Sequence, residues 1–270
     1  MKKKNSKNGI FSKIIMGFTL LFFYLPILYI LLFSFNSKKS MQIFGGFSLK
    51  WYEKVLNTEG ATDYLGAIWT TINIAILATV IATILGTITA IGLSKSGKYL
   101  RSSVERINEL PIMNPDIVTG VSLLLLFSVF FHFQRGWFTM LLAHIMFCTP
   151  FVILSILPKL RTLDPNLIDA ALDLGCTPFQ AMIKVIIPQI TPSIIAGALI
   201  AFTMSFDDFI ISYFTTDSDN NISTLVYSLS TRMDPSIYAL SSIIIFIITA
   251  MLIIINIVPI INDKLNKKKQ

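Results

Sequence analysis

Six long apolar runs, at residues 14–35, 67–93, 110–131, 137–157, 193–214 and 237–261, decide most of what this 270-residue chain can become. About 20 apolar residues in a helix cover the ~30 Å hydrocarbon core of a bilayer, and each run is at least that long. In hydrocarbon every backbone N–H and C=O must find its partner within the segment, so a run of this kind is a helix. Composition agrees. Only 14% of residues are charged and the mean hydropathy is +0.71, whereas about a quarter of a soluble domain is charged. The expected fold is all-α, a single membrane domain over residues 1–270 with six transmembrane helices.

The N-terminal lysines Lys2, Lys3, Lys4, Lys7 and Lys13 precede the first run much as they precede a signal peptide's core. That run is too long for such a core, and no small-x-small cleavage site follows it, so it reads as an uncleaved span. An even number of spans puts both ends on one side. That side carries 16 Lys and Arg, the other 6, counted along the sequence. Both termini and the stretch 164–192 are therefore expected in the cytoplasm. The net charge of +7 belongs to these topology signals and not to a nucleic-acid face. Cys148 and Cys176 have neither CxxC nor metal spacing and read as small apolar residues. No internal repeat is visible, which disfavours an inverted-repeat carrier.

Residues 164–192, DPNLIDAALDLGCTPFQAMIKVIIPQITP, form the one polar, punctuated stretch between spans. Asp164 reads as an N-cap with Pro165 at the first helical position. Leu167, Ile168, Ala171, Leu172 and Leu174 follow at helical spacing, and Gly175 offers a left-handed stop. Thr177, Pro178 and Gln180 then spell a capping box for a second helix, which Pro188 is expected to end. A helix–Gly–helix unit of this kind looks built to dock. The order Asp169-Ala170-Ala171, Gly175, Ile187-Pro188 resembles the EAA loop of bacterial ABC-importer permeases. The resemblance implies a type I ABC-importer architecture in which Asp169, Ala170, Ala171, Gly175 and Pro188 couple the spans to a cytoplasmic ATPase. The family usually has Glu where this chain has Asp169.

Gly92-Leu93-Ser94-Lys95-Ser96-Gly97-Lys98 fits seven positions of a phosphate-binding loop, but Tyr99 stands where Ser or Thr should bind magnesium. A membrane helix precedes it in place of a strand, so nucleotide binding is not expected here. No nucleophile–base pair or metal cluster has usable spacing; the chain reads as a transport subunit without enzyme chemistry or cofactor.

Asp207 and Asp208 fall inside the fifth run. An ionised Asp at mid-bilayer costs about 2.5–3.5 kcal/mol, so such residues usually face a polar path. Sequence neighbours point about 100° apart on a helix. Ser205, Asp208 and Ser212 then share one face, and Asp207 lies with Thr203 and Ile211. Periodicity thus favours Asp208 as path-lining. Asp116, at the entry to the third run, is a further candidate; His132 and His144 read as packed or interfacial.

Phe35-Asn36-Ser37, Lys50-Trp51-Tyr52, Asn114-Pro115-Asp116-Ile117-Val118 and Ser205-Phe206-Asp207-Asp208-Phe209 carry the resemblance further, to the permeases of spermidine/putrescine importers. It implies a second permease of similar fold, two copies of the ATPase, an extracytoplasmic polyamine-binding protein, and a place in the bacterial cell membrane among lipid. It associates Trp51, Asp116, Ser205 and Asp207 with polyamine passage. The resemblance prefers Asp207 where periodicity prefers Asp208, and sequence alone leaves both open. The rivals are a permease of the same fold for another solute, or a cation channel or carrier that needs no ATPase.

Overall fold

The computed structural model describes residues 8–57, 63–217 and 220–267, with side chains described from residue 12 and, at the C-terminal end, largely to residue 250. Most of the terminal lysines of the charge count lie outside the described residues or side chains. Helices follow one another as α1 (Asn8–Phe33), α2 (Lys50–Leu56), α3 (Tyr64–Lys95), α4 (Lys98–Met113), α5 (Asp116–Leu125) and α6 (Trp137–Arg161). Then come α7 (Leu167–Asp173), α8 (Pro178–Ala181), α9 (Ile187–Phe206), α10 (Ile210–Thr215), α11 (Ile222–Thr231) and α12 (Ser236–Lys267). Among the described residues there is no strand, only an isolated bridge between Asn36 and Phe47. The chain is an all-α membrane protein.

Among the described residues, four helical stretches are long and apolar enough to cross a bilayer: Ser12–Phe33, Tyr64–Lys95, Trp137–Arg161 and Pro178–Phe206. A fifth crossing would join α4 to the helix over Asp116–Phe130, and these meet at 108°. The third apolar run was expected as one helix from residue 110, after a short basic loop. Instead α4 carries the basic residues on an amphipathic helix, and the chain turns where Pro115 forces Asn114 into extended backbone (ψ 144°). The sixth apolar run lies on α12.

The chain divides into two units, residues 1–64 with 226–270, and residues 65–225. In the first, α1 packs on α12 through Tyr29 and Phe33 against Tyr238, with ring centroids near 6 Å. None of the α1 apolar window is buried. A helix apolar all round and uncovered by protein suits a lipid-facing span.

The second unit is built on α6, whose apolar window is 67% buried against 33% for α3 and 22% for the run ending in α9. Small residues let its neighbours close in. Ala78, Ala82 and Ala90 of α3 and Ala201 of α9 are fully buried, and a Cβ on Gly86 would lie 2.7 Å from Val152 Cβ. Backbones approach through such seams because hydrocarbon gives no hydrophobic drive between helices and packing must supply it.

Candidate functional site

At one end of α9 stands the polar stretch. Asp164 does not cap α7: its Oδ1 accepts the Asn166 N–H at 2.9 Å in a turn, and the helix starts at Leu167. The end of α7 follows the expectation for Gly175, whose φ is +83°. The Gly175 N–H reaches Leu172 O (2.9 Å) and the Cys176 N–H reaches Ala171 O (3.0 Å), the paired bonds of a Schellman motif. Two residues later Thr177 and Gln180 form the capping box in both directions, at 3.3 and 3.1 Å.

Pro188 does not end the second helix. A π-helical turn over Met182–Ile186 precedes it, so the Ile187 N–H bonds to Met182 O. The widened turn accommodates the ring, and the missing proline N–H falls in the first turn of α9. Asp169 and Ala170 are exposed and Ala171 is buried under the turn. Leu174 and Phe179, on either side of Gly175, are 86% and 74% exposed. Sequence periodicity put Leu174 on the packed face of α7; it lies one residue past the helix and faces outward.

The segment resembling a phosphate loop has the wrong polarity for phosphate. The Arg101 guanidinium donates to the carbonyls of Leu93 (2.8 Å), Ser94 and Ser96 (3.1 Å), satisfying the C-terminus of α3. The loop turns acceptors toward a cation.

At the other end of α9 the helix stops at Phe206, and α10 restarts at Ile210. The fifth apolar run is thus broken at Asp207-Asp208-Phe209, and the face assignments of a continuous helix do not apply. Asp208 caps the new helix: its Oδ1 accepts the Ile211 N–H (3.2 Å), and its Oδ2 accepts the Ser212 N–H (2.8 Å) and hydroxyl (2.9 Å). Only 7% of its side chain is exposed. Asp207 is exposed, and none of the ion pairs among the described residues takes up its carboxylate.

Around Asp208 the unit buries a connected set of polar groups. His144 of α6, 1% exposed, sets Nδ1 2.7 Å from Ser205 Oγ and Nε2 2.9 Å from Ser212 Oγ. Asn221 donates from Nδ2 to Ser212 Oγ (2.7 Å) and to Asp208 O (3.2 Å). Ser212 has one hydroxyl proton and donates it to the carboxylate; Ser212 Oγ therefore accepts from Nε2–H, and in the neutral ring Nδ1 accepts from Ser205 O–H. The result is a one-way chain, Ser205 to His144 to Ser212 to Asp208. Periodicity had placed Ser205, Asp208 and Ser212 together, yet they meet around an imidazole that sequence reading set aside as packed.

Asp116 is exposed as the first residue of α5. Trp51 belongs to the other unit and is 6% exposed. Its Nε1 donates to Asn36 O at 2.7 Å, and Lys50 and Lys54 place their ammonium groups 4.5 and 5.8 Å from its ring centroid. Asn36, unremarked in the sequence beyond its tripeptide, is the hub of this unit's loop. Its side chain accepts from Gly45 N–H (2.7 Å) and donates to Ser40 O and Ile43 O. Lys54 also pairs with Asp234 at 2.6 Å. Burial pushes the Asp234 carboxyl up, but hydrogen bonds from Lys54 and Ser236 outweigh it and hold the group below the usual carboxylate range. Among the described residues no group of three His, Cys, Asp or Glu could hold a metal.

Comparison with known proteins gives this geometry its setting. The chain is 37% identical over 239 residues to the putrescine transport system permease protein PotI of Escherichia coli (strain K12), covering 86% of this chain and 83% of that protein. It is 32% identical over 234 residues to the spermidine/putrescine transport system permease protein PotC of the same strain, covering 86% and 87%. In fold it matches a chain of a bacterial ABC transporter that imports the acidic polysaccharide alginate, with TM-score 0.66, 16% identity, and coverage of 91% and 92%. The family described as binding-protein-dependent transport system inner membrane component matches residues 82–269, well over half of the sequence. The chain belongs to that family, the permeases of ABC importers.

Proposed function

We propose that this chain forms half of the path by which an ATP-driven importer carries polyamines, putrescine and spermidine, into the cell. The observation that carries the reading is Asp207: an exposed carboxylate without an ion pair among the described residues, at a break in a membrane helix, in a chain similar to two polyamine permeases. A fixed anion in a poorly hydrated path favours a cation and has no use for a neutral or acidic solute. Asp116 and Ser205 belong to the same path in this reading, Asp116 as an exposed contact and Ser205 as a buried support. Trp51, with two lysines over its ring, orders the loop of its own unit and is the further contact that the resemblance to polyamine permeases suggests. Asp208 holds the break together.

The polar stretch couples the path to ATP hydrolysis in a separate subunit. Exposed Asp169, Ala170, Leu174 and Phe179 dock on that subunit, while Gly175 and the capping box fix the angle between the two short helices. Both termini and this stretch face the cytoplasm, and a second permease, two ATPase copies and an extracytoplasmic binding protein complete the importer.

The test is ATP-dependent uptake of labelled putrescine and spermidine in vesicles holding the assembled importer, with the parent chain or Asp207→Asn. A rise in the KM for uptake in the variant, with uptake persisting at high polyamine concentration, supports the reading. Continued ATP hydrolysis with no polyamine entering the parent vesicles sinks the polyamine reading and leaves family membership standing.

A further inference from the structure

The buried imidazole has no part in the proposed function, yet its contacts bracket the residue on which that function rests. Ser205, in the last turn of α9, is two residues before Asp207 and donates to His144 Nδ1 at 2.7 Å. Asp208, one residue after Asp207, reaches the same ring through Ser212 Oγ, and its Oδ2 lies 3.5 Å from Nε2. One side chain of α6 thus fixes the backbone on both sides of Asp207. We infer that His144 is a positioning residue: it sets the direction in which Asp207 presents its carboxylate to the cation, without touching the cation itself.

The geometry separates this role from that of a general structural prop. Helix α10 has six residues, too few to stand alone, and it depends on its cap. That cap is Asp208, which keeps the Ile211 and Ser212 N–H groups whatever occupies position 144. Asn221 still donates to Ser212 Oγ if the ring is lost. Removing the imidazole therefore frees the α9 side of the bracket while α10 stays capped. Ser205 is 2% exposed, so it too acts through position and not by contact with cargo.

The inference rests on the polyamine reading of Asp207, and its test is a double-substitution cycle in the assembled importer. Initial rates of ATP-driven putrescine uptake would be measured for the parent, His144→Leu, Asp207→Asn and the double variant, alongside His144→Gln, which keeps one acceptor and one donor. His144→Leu is expected to raise KM about tenfold, the size of a contact-mediated coupling, with maximal rate within about twofold. In the Asp207→Asn background it is expected to add nothing, and His144→Gln should recover most of the loss. Independent, multiplicative effects in the double variant overturn the inference, as does a fall in maximal rate at unchanged KM. If Asp207→Asn alone leaves uptake unchanged, the polyamine site falls first and the inference with it. Should His144→Leu be missing from the membrane, Ser205→Ala, which removes the hydrogen bond on the α9 side alone, takes its place in the cycle.

Discussion

Substitution of Gly175 separates two ways in which one residue holds the polar stretch 164–192 together. Its φ of +83° is a region that L-residues reach at a cost, and nothing lies within 4 Å of the Cβ that a substitution would add. Gly175→Ala therefore meets no clash, and the whole penalty is conformational, about 1 kcal/mol. Gly175→Pro is different in kind. Proline fixes φ near −65° and removes the N–H that bonds to Leu172 O, so the left-handed turn cannot form and the loss is about 3 kcal/mol or more. The natural assay is amide hydrogen exchange across residues 167–186 in the purified importer, read with ATP consumed per polyamine moved. Since opening scales with exp(ΔG/RT), the alanine variant should lose roughly fivefold in protection at the Cys176 amide and keep coupled uptake. The proline variant should expose the stretch and hydrolyse ATP without transport. Equal protection in the two variants, or coupled uptake by the proline variant, would refute the reasoning.

Other expectations follow from the same contacts. Asp208→Asn puts an amide where two donors from Ser212 converge and should lower thermal stability by about 1–3 kcal/mol. Asp207→Asn, exposed and outside the ion pairs, should stay within about 0.5 kcal/mol of the parent while the KM for uptake rises; similar melting shifts for the two would contradict these assignments. Gly86→Ala sets a Cβ against Val152 and should cost about 1–3 kcal/mol by overpacking, relieved in the Gly86→Ala/Val152→Ala pair and scored by folded protein recovered from the membrane. The Asp234 carboxyl is held below its ordinary value of 3.8, so its pairing with Lys54 stabilises above that pH and fades as pH falls through the lower folded value. Both partners are partly exposed, so the gain is at most about 1 kcal/mol. Unfolding of Asp234→Asn beside the parent should differ at pH 6 and converge as pH falls through the lowered folded value; a constant gap would exclude the ionic origin.

Where a residue's role is set by its immediate neighbours in sequence, the chain could be read directly. Gly175 and the Thr177–Gln180 box are of this kind, since each closes hydrogen bonds within a few residues. So are the apolar runs on α1, α3 and α6, fixed by bilayer thickness. The break at Asp207 escaped because hydrophobic periodicity runs on through Phe209–Phe214 and outweighs a cap made by one acid. The legible signal was there: an Asp three and four residues before the first amides that need acceptors. Pro188 misled for the opposite reason, because a widened turn, which has no sequence signature here, absorbed the ring. His144 could be read as packed but not given its partners, which are 61 and 68 residues away.

The uninterrupted helical run from Pro178 to Phe206 has a mechanical consequence. Its 29 residues at a rise of about 1.5 Å make a lever about 43 Å long, with the capping box at one end and the Asp207 break at the other. A tilt of about 5° around one end sweeps the other through about 4 Å, more than the length of a hydrogen bond. Motion delivered at Thr177 would have one helical run, widened at Met182–Ile186, through which to reach the bracket around Asp207.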